Sequence, residues 1–277
     1  MTETFETPDG SVRLVRQDAL EFLRGLPDKA VDVVVTSPPY NKGKRDSKSY
    51  GFRARRRSDS NVAKWATIGY QDEKPEPEYE LFLQWVLWQC LRVSKGVVCL
   101  NHQLVGRDRF ARHPLFLLHP FRDRLWAEII WDRRGSMQFN ARKHALSHES
   151  IFAFGKPHWW NQAEVSKKTV WRITPRRNAP HACAWPVELP KRLIEAYCPE
   201  GGTVCDPFAG IATAGVAAFE TGRRFVGCDN DARTFEAAKR EIVRATERYA
   251  LFGSEWAHTL PMPQAKLPQQ LALEFAA

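Results

Sequence analysis

The sequence predicts an α/β fold around a mostly parallel sheet, from two repeated units and a composition that suits a packed core. Residues 12–15 alternate like a strand, 19–26 carry apolar residues at helical spacing before Pro27, and 31–36 form a β-branched run interrupted once, at Asp32. A strand, a short helix and a strand in so short a span make a βαβ unit, whose strands run parallel. Towards the other end, residues 202–206 read as a strand, 211–220 as a helix and 225–228 as a strand, which repeats the unit. With 277 residues, 43% of them hydrophobic, the chain can bury one large domain or one domain with an appendage.

The remaining elements follow in order. Residues 77–93 form a helix by periodicity, with Leu81, Phe82, Trp85, Trp88 and Leu91 on one face that is expected to be core. Strands are expected at 96–100, 125–131 and 150–154, and Trp185-Pro186 opens a helix that runs to residue 197. The six cysteines form no CxxC pair and sit mostly in apolar runs, so they read as structural. No N-terminal signal pattern precedes the first strand, and the most apolar helical stretch, 81–91, is too short to span a bilayer. A soluble, cytoplasmic protein without membrane contact is expected.

Charge points to a partner. Lys and Arg number 41 against 32 Asp and Glu, a net charge of +9, and such an excess favours a polyanion because phosphate contacts release counterions. The excess is also what a well-solvated surface shows. It is concentrated in three stretches. Between 42 and 64 stand Lys42, Lys44, Arg45, Lys48, Arg53, Arg55, Arg56, Arg57 and Lys64 against Asp46 and Asp59, with Tyr50 and Phe52 interleaved. Arg133, Arg134, Arg142 and Lys143 follow in a loop, and then Lys167, Lys168, Arg172, Arg176 and Arg177 stand among Trp159, Trp160 and Trp171. Rings among cations suit nucleic acid, by stacking and by phosphate contacts, and equally suit a small satellite hydrophobic cluster.

The 31–36 strand runs into Thr36-Ser37-Pro38-Pro39-Tyr40. Two prolines fix φ and remove two N–H donors, so the chain leaves the sheet in a rigid extended loop with free carbonyls. Loops at the carboxyl ends of strands are where open α/β sheets bind ligands. Ser37 Oγ and the carbonyl of Ser37 or Pro38 can accept both protons of an amino group while Tyr40 lies against a ring. Taken alone, the same residues also suit a proline-rich turn with Tyr40 plugging the core.

A second motif adds to the first. Asp206-Pro207-Phe208-Ala209-Gly210 ends one strand and turns into a helix, and Asp229 ends the next strand, followed by Asn230. An acid at the end of the second strand is where nucleoside-binding α/β units hold ribose hydroxyls, and the glycine turn admits close approach of backbone to a ligand. No G-x-G-x-x-G run is present, so the ligand need not carry a pyrophosphate.

Together these two motifs resemble the family of S-adenosylmethionine-dependent DNA amino-methyltransferases, which act on adenine N6 or cytosine N4. The catalytic motif precedes the cofactor motif, as in the permuted beta group of that family, and the likeness runs from Val12 to Tyr249. It implies a Rossmann-like class I methyltransferase fold, a circularly permuted, mostly parallel seven-stranded sheet over residues 10–255. The basic stretches become a basic insertion at 42–76, a basic loop at 133–147 and a small target-recognition segment at 155–180, with a C-terminal tail at 256–277. The resemblance makes Ser37, Pro38, Pro39 and Tyr40 catalytic. It gives S-adenosylmethionine to Asp206, Phe208, Ala209 and Gly210 at the methionine end and to Asp229 and Asn230 at the ribose. Asp18, with Ala19, matches the acid that accepts from the cofactor's adenine amino group, and Thr36, Trp185 and Pro186 border the same ligand. The family usually continues with Ser-Gly-Thr where this chain has Ile211-Ala212-Thr213, and with His-Pro where it has His181-Ala182. Alanine is expected to serve as a helical start there.

The implied reaction is direct transfer of a methyl group to the amino group of a base flipped out of duplex DNA, with no metal and no covalent intermediate. A cytosine-C5 mechanism is disfavoured because no Cys follows a Pro. Ser in the catalytic tetrapeptide is more typical of N4 enzymes, whereas adenine methylation is the commoner activity of the permuted group, so both bases stay open. A methylase of RNA or protein, and an idle DNA-binding relative, are the rival readings. The tail ends in Gln270-Leu271-Ala272-Leu273-Glu274-Phe275, which resembles the peptide that docks on the bacterial sliding clamp and also suits packing on the body. A homodimer is a further implication of the family.

Overall fold

A computed structural model describes residues 2–41, 73–107, 110–135, 144–162, 168–175 and 185–256. Its centre is a nine-stranded sheet. In chain order the strands are β1 (Glu3–Glu6), β2 (Val12–Arg16), β3 (Val33–Thr36), β4 (Val98–His102), β7 (Leu125–Asp132), β8 (His148–Phe154), β9 (Val170–Arg172), β10 (Thr203–Asp206) and β11 (Arg224–Cys228), while β5 (Val105–Arg107) and β6 (Phe110–Arg112) form a separate hairpin. Across the sheet the order is β1-β2-β11-β10-β3-β4-β8-β7-β9. Only β1 and β8 run against the others. The seven strands expected from the resemblance are the inner ones, and β1 and β9 add an edge strand at each side. β10, next to the middle strand β3, is supplied almost last by the chain, which is the permutation expected from the motif order.

Helices cover both faces. α1 (Ala19–Arg24) and α2 (Glu76–Val93) pack on one side, with Phe22, Leu23, Leu83 and Leu87 meeting Val34, Val98 and Cys205. On the other side α4 (Glu188–Tyr197), α5 (Thr213–Glu220) and α6 (Ala232–Trp256) bury Leu189, Leu193, Ala217 and Ile242 against Val33, Val35 and Val204. α3 (Pro114–Leu117) and a short 3-10 turn (His119–Arg124) precede β7. Successive residues of β3 thus enter opposite cores, as period-2 side chains in a buried parallel strand must. No described helix is long and apolar enough to cross a membrane. The five described cysteines are buried free thiols, in keeping with a packing role.

Two readings of the sequence change. The face of α2 that buries is Tyr79, Leu83, Val86, Leu87, Cys90 and Val93, whereas Leu81, Trp85 and Trp88 are 58%, 52% and 48% exposed. Aromatics at helical spacing mark a real stripe, but the aliphatic stripe next to it is the one that meets the sheet. Asp32 is not a defect in a strand. The regular strand begins at Val33, and the Asp32 carboxylate accepts from the Thr203 N–H at 2.7 Å and pairs with Lys95 Nζ at 3.0 Å, pinning the start of β3 to that of β10. Gly227 is set by packing: a Cβ there would lie 2.8 Å from the Asp206 carbonyl, so β11 approaches β10 more closely than any side chain permits.

Candidate active site

The sheet divides at its centre. From β10 the chain crosses through α5 to β11 on one side, and from β3 it crosses through α2 to β4 on the other, so the carboxyl ends of β10 and β3 flank the topological switch point. Both sequence motifs end there. Thr36 Oγ1 donates to Asp206 Oδ1 at 2.6 Å, and the Phe208 N–H donates to the same oxygen at 3.0 Å. After Asp206 the chain turns through Gly210 (φ 54°) and Ala212 (φ 57°) before α5 begins at Thr213. The Gly210 N–H reaches Asp229 Oδ2 at 3.1 Å and the Asp231 N–H reaches Asp229 Oδ1 at 2.9 Å, so the ends of β10 and β11 are joined through one carboxylate.

Ala212 corrects an expectation. It is left-handed rather than helical, the conformation that glycine adopts freely and alanine enters at about 1–2 kcal/mol. The family's glycine at this position suits that backbone, and this chain carries the strain instead.

The other expected ligand residues surround the same end of the sheet. Asp18 follows β2 and caps α1, its Oδ1 accepting from the N–H groups of Leu20 at 2.9 Å and Glu21 at 3.3 Å, while Ala19 is buried behind it. Asn230 is exposed beside Asp229. Trp185 and Pro186 are buried, with Trp185 in the core that also holds Ala209 and Ala212. Phe208 meets Phe82 edge to face at 6.0 Å.

The loop after β3 is held from below. Ser37 Oγ lies 2.9 Å from Tyr40 Oη, which donates to Glu149 Oε2 at 3.0 Å. Asn101 Nδ2 donates to Glu149 Oε2 at 2.7 Å and also to Tyr40 Oη, and Arg133 Nη1 reaches Glu149 Oε1 at 2.8 Å. His102 stacks on one face of the Tyr40 ring, centroids 4.5 Å apart. Tyr79 Oη donates to the Pro39 carbonyl at 2.6 Å and lies 2.8 Å from His102 Nε2. Asn41, left-handed at φ 56°, exchanges two hydrogen bonds with the backbone of Lys74 at 3.0 and 2.7 Å. That amide ties the end of the loop after β3 to the residues that lead into α2.

Asn101, His102, Tyr79 and Glu149 are site residues that the sequence reading misses. The apolar pattern ends the strand at residue 100, two residues short of the pair that matters. The signal available is polar residues inside apolar strands: Asn101 and Glu149 are both buried, and burial of such groups demands partners.

The basic residues divide. Lys42, Lys44, Arg45, Arg53, Arg55, Arg56, Arg57, Lys167, Arg176 and Arg177 lie outside the described residues, as does the 256–277 tail beyond Trp256. Lys168 and Arg134 are exposed, and Arg172 is exposed but 3.3 Å from Asp132. Arg133 turns inward to Glu149 and lies 5.4 Å from the Trp131 ring. Trp171 is 2% exposed with its indole N–H bonded to the Lys168 carbonyl, so for this ring the hydrophobic-cluster reading holds.

Asp206 and Asp229 have no ion-pair partner among the described residues. Burial pushes the Asp206 carboxyl up to about 7, against the lowering effect of the Thr36 and Phe208 hydrogen bonds, and burial lifts Asp229 to about 6. Two carboxylates that titrate close to neutrality without a cation make a crevice suited to a positively charged ligand. Folded Asp206 keeps its proton up to about pH 7 whereas the unfolded chain releases it near 3.8, so its contribution is fully present below 3.8 and is lost as pH rises through 7. Asn at 206 retains the Oδ1 acceptor for both Thr36 and Phe208. Asp206→Asn is therefore expected to raise unfolding stability at pH 8 by roughly 2–4 kcal/mol, the gain vanishing by pH 4; urea titrations at the two pH values check this, and a variant less stable at pH 8 contradicts it.

Comparison with known proteins agrees with this geometry. The profile of the N6/N4 DNA methylase family matches residues 31–240. Type II methyltransferase M.ScaI of Streptomyces caespitosus is 26% identical over 244 residues, covering 81% of this chain and 78% of its own, and M.XycI of Xanthomonas campestris pv. cyanopsidis is 25% identical over 263 residues, covering 78% and 82%. Among solved structures, the cytosine-N4-specific PvuII DNA methyltransferase superposes with a TM-score of 0.63 at 13% identity, over 86% of this chain and 89% of that one. TTHA0409 of Thermus thermophilus, solved with S-adenosyl-L-methionine, gives 0.53 at 24% identity over 82% and 91%. A family profile spanning both motifs, on a sheet that brings them to one crevice, means that the chain belongs to the N6/N4 DNA methylase family.

Proposed function

We propose that the protein transfers a methyl group from S-adenosylmethionine to the exocyclic amino group of adenine or cytosine in duplex DNA, at a specific sequence. The 2.6 Å bond between Thr36 and Asp206 carries this reading, because it sets the end of the catalytic motif directly against the cofactor motif. S-Adenosylmethionine supplies an electrophilic methyl on a sulfonium, and its sulfonium and ammonium suit a crevice with two carboxylates that have no ion-pair partner among the described residues. Asp206, Phe208, Ala209 and Gly210 would hold the methionine portion, Asp229 and Asn230 the ribose, and Asp18 and Ala19 the adenine, with Thr36, Trp185 and Pro186 at the border. Family resemblance supports each of these assignments, and the location of Asp18, Asp206 and Asp229 at carboxyl ends of adjacent strands agrees with it.

An exocyclic amine is a poor nucleophile because its lone pair is delocalised into the ring. Acceptors at Ser37 Oγ and at the Ser37 or Pro38 carbonyl would draw the nitrogen towards a pyramidal form whose lone pair points at the methyl group. His102 supports one face of Tyr40, and the base would stack against the opposite face. Reaching it requires flipping the base from the duplex, at a cost of roughly a few kcal/mol. Lys42, Lys44, Arg45, Arg53, Arg55, Arg56, Arg57, Arg134, Lys167, Lys168, Arg172, Arg176 and Arg177 would carry the phosphate contacts. Arg133 would join them only through the guanidinium nitrogens that Glu149 leaves. Such an activity implies a cytoplasmic protein on the nucleoid. The idle-relative reading is disfavoured by the intact Ser37–Tyr40 and Thr36–Asp206 contacts.

Labelled S-adenosylmethionine incubated with mixed-sequence duplex DNA, followed by digestion and mass spectrometry, is expected to give N6-methyladenine or N4-methylcytosine and to settle which. Ser37→Ala should slow methyl transfer by about 10²-fold with cofactor affinity nearly unchanged. Label in RNA or protein but not DNA overturns the reading.

Assembly is proposed at two places. The exposed Leu81, Trp85 and Trp88 on α2, with Phe116 on α3 75% exposed, form an apolar face suited to a second copy of the chain. The tail at Gln270–Phe275 would dock on the sliding clamp. Sedimentation of Trp85→Glu/Trp88→Glu protein should show monomer where the parent shows dimer, and truncation after Pro268 should abolish clamp pull-down; a monomeric parent defeats the first and an unchanged pull-down the second.

A further inference from the structure

Glu149 has no role in the reaction as described above, yet the Tyr40 hydroxyl, the Asn101 amide and the Arg133 guanidinium all converge on it. The residue is 7% exposed, and its carboxylate takes three donors: Tyr40 Oη, Asn101 Nδ2 and Arg133 Nη1. The side chains come from four places, the loop after β3 and strands β4, β7 and β8 or their ends, so the cluster is built by the sheet and not by one segment.

Donor bookkeeping fixes the direction of the chain of bonds. An ionised carboxylate only accepts, and a phenol has one proton. Tyr40 therefore commits its proton to Glu149. The Asn101 amide cannot be turned round, because its oxygen would then face Glu149 Oε2 at 2.7 Å with two acceptors opposed; Asn101 Oδ1 is left buried without a partner instead. Nδ2 of Asn101 thus donates to Tyr40 as well. With its only proton committed, Tyr40 Oη meets Ser37 Oγ at 2.9 Å solely as an acceptor, so the Ser37 hydroxyl proton points down towards Tyr40. The lone pairs of Ser37 Oγ are then left to accept from a ligand.

We propose that Glu149 is a positioning residue that polarises this chain so that Ser37 presents an acceptor to the target base. The proposal rests on the amino-methyltransferase reading and deepens it. A Ser37 that can only accept welcomes an –NH2 group and opposes a keto oxygen at the same place, which selects adenine and cytosine over guanine and thymine. The same chain removes the proton that the reaction releases. As the N–CH3 bond forms and the S–CH3 bond breaks, the nitrogen gains a positive charge. One N–H proton passes to Ser37 Oγ, the Ser37 proton to Tyr40 Oη and the Tyr40 proton to Glu149, which ends as a neutral acid and later loses the proton to water. Arg133, bonded to the other oxygen of Glu149, sets a fixed positive charge beside the end of the chain.

Two substitutions cut the chain at different links. Tyr40→Phe keeps the ring and its stacking on His102 while removing the relay oxygen. Glu149→Gln keeps the shape but leaves a single acceptor oxygen for three donors on two sites, and its amide cannot take up the relayed proton. Single-turnover methyl transfer to duplex DNA, with cofactor and DNA affinities measured in parallel, is expected to slow about 10- to 100-fold in each variant, with both affinities within about twofold of the parent. The double variant should be no slower than the slower single one, because one chain is cut twice. Either single variant reacting at the parental rate, effects that multiply in the double variant, or a loss confined to affinity would overturn the proposal. Should Glu149→Gln fail to bind cofactor, Tyr40→Phe alone decides by its rate. A parent protein that methylates no DNA defeats the underlying reading rather than this inference.

Discussion

A single hydrogen bond, from Thr36 to Asp206, joins two halves of the chain that are 170 residues apart. It exists because the two strands that end in these residues, β3 and β10, lie side by side at the point where the sheet changes winding direction. Side-by-side pairing of such distant strands is secured at their other ends by Asp32, whose carboxylate takes the Thr203 N–H. A buried acid at each end of the β3–β10 pair thus has a different part. Asp32 has Lys95 at 3.0 Å and anchors structure, whereas Asp206 has no cation among the described residues and is held poised for one. Stability is given up at the crevice in proportion to the charge it keeps ready.

Two prolines stiffen the loop beyond Thr36 but do not by themselves place it. Its order comes from the polar chain below it, where Tyr79 bonds the Pro39 carbonyl, His102 lies under Tyr40, and Glu149 draws in Tyr40, Asn101 and Arg133. Each member is fixed by a strand or helix of the scaffold, which is how a reactive geometry is held to within fractions of an ångström. Asn41 does the same at the end of the loop, where its amide holds the backbone of Lys74 just ahead of α2.

Much of this is legible from local pattern. β-branched runs, helical spacing and strand-terminal acids point to the sheet, its parallel sense and both motifs, since those features depend on neighbours in sequence. What escapes depends on distant neighbours. The polar residues that support Tyr40 come from β4, β7 and β8, and nothing adjacent to Asn101 or Glu149 in the chain marks them. The aromatic stripe of α2 misleads because periodicity shows that a face is apolar but not which apolar face meets the sheet. Ala212 misleads because the turn after β10 demands a left-handed residue, and a glycine would have announced it. The edge strands β1 and β9 are four and three residues long, too short for alternation to register.

The proposed function requires the Thr36 and Asp206 segments, joined by one hydrogen bond, to act as one unit. Calorimetric titration of S-adenosylmethionine into Thr36→Val, Asp206→Asn and the double variant tests this most directly. Each single change is predicted to weaken binding, and the double variant to bind no worse than Asp206→Asn alone. Independent effects that add in the double variant, or parental affinity in Thr36→Val, would contradict it.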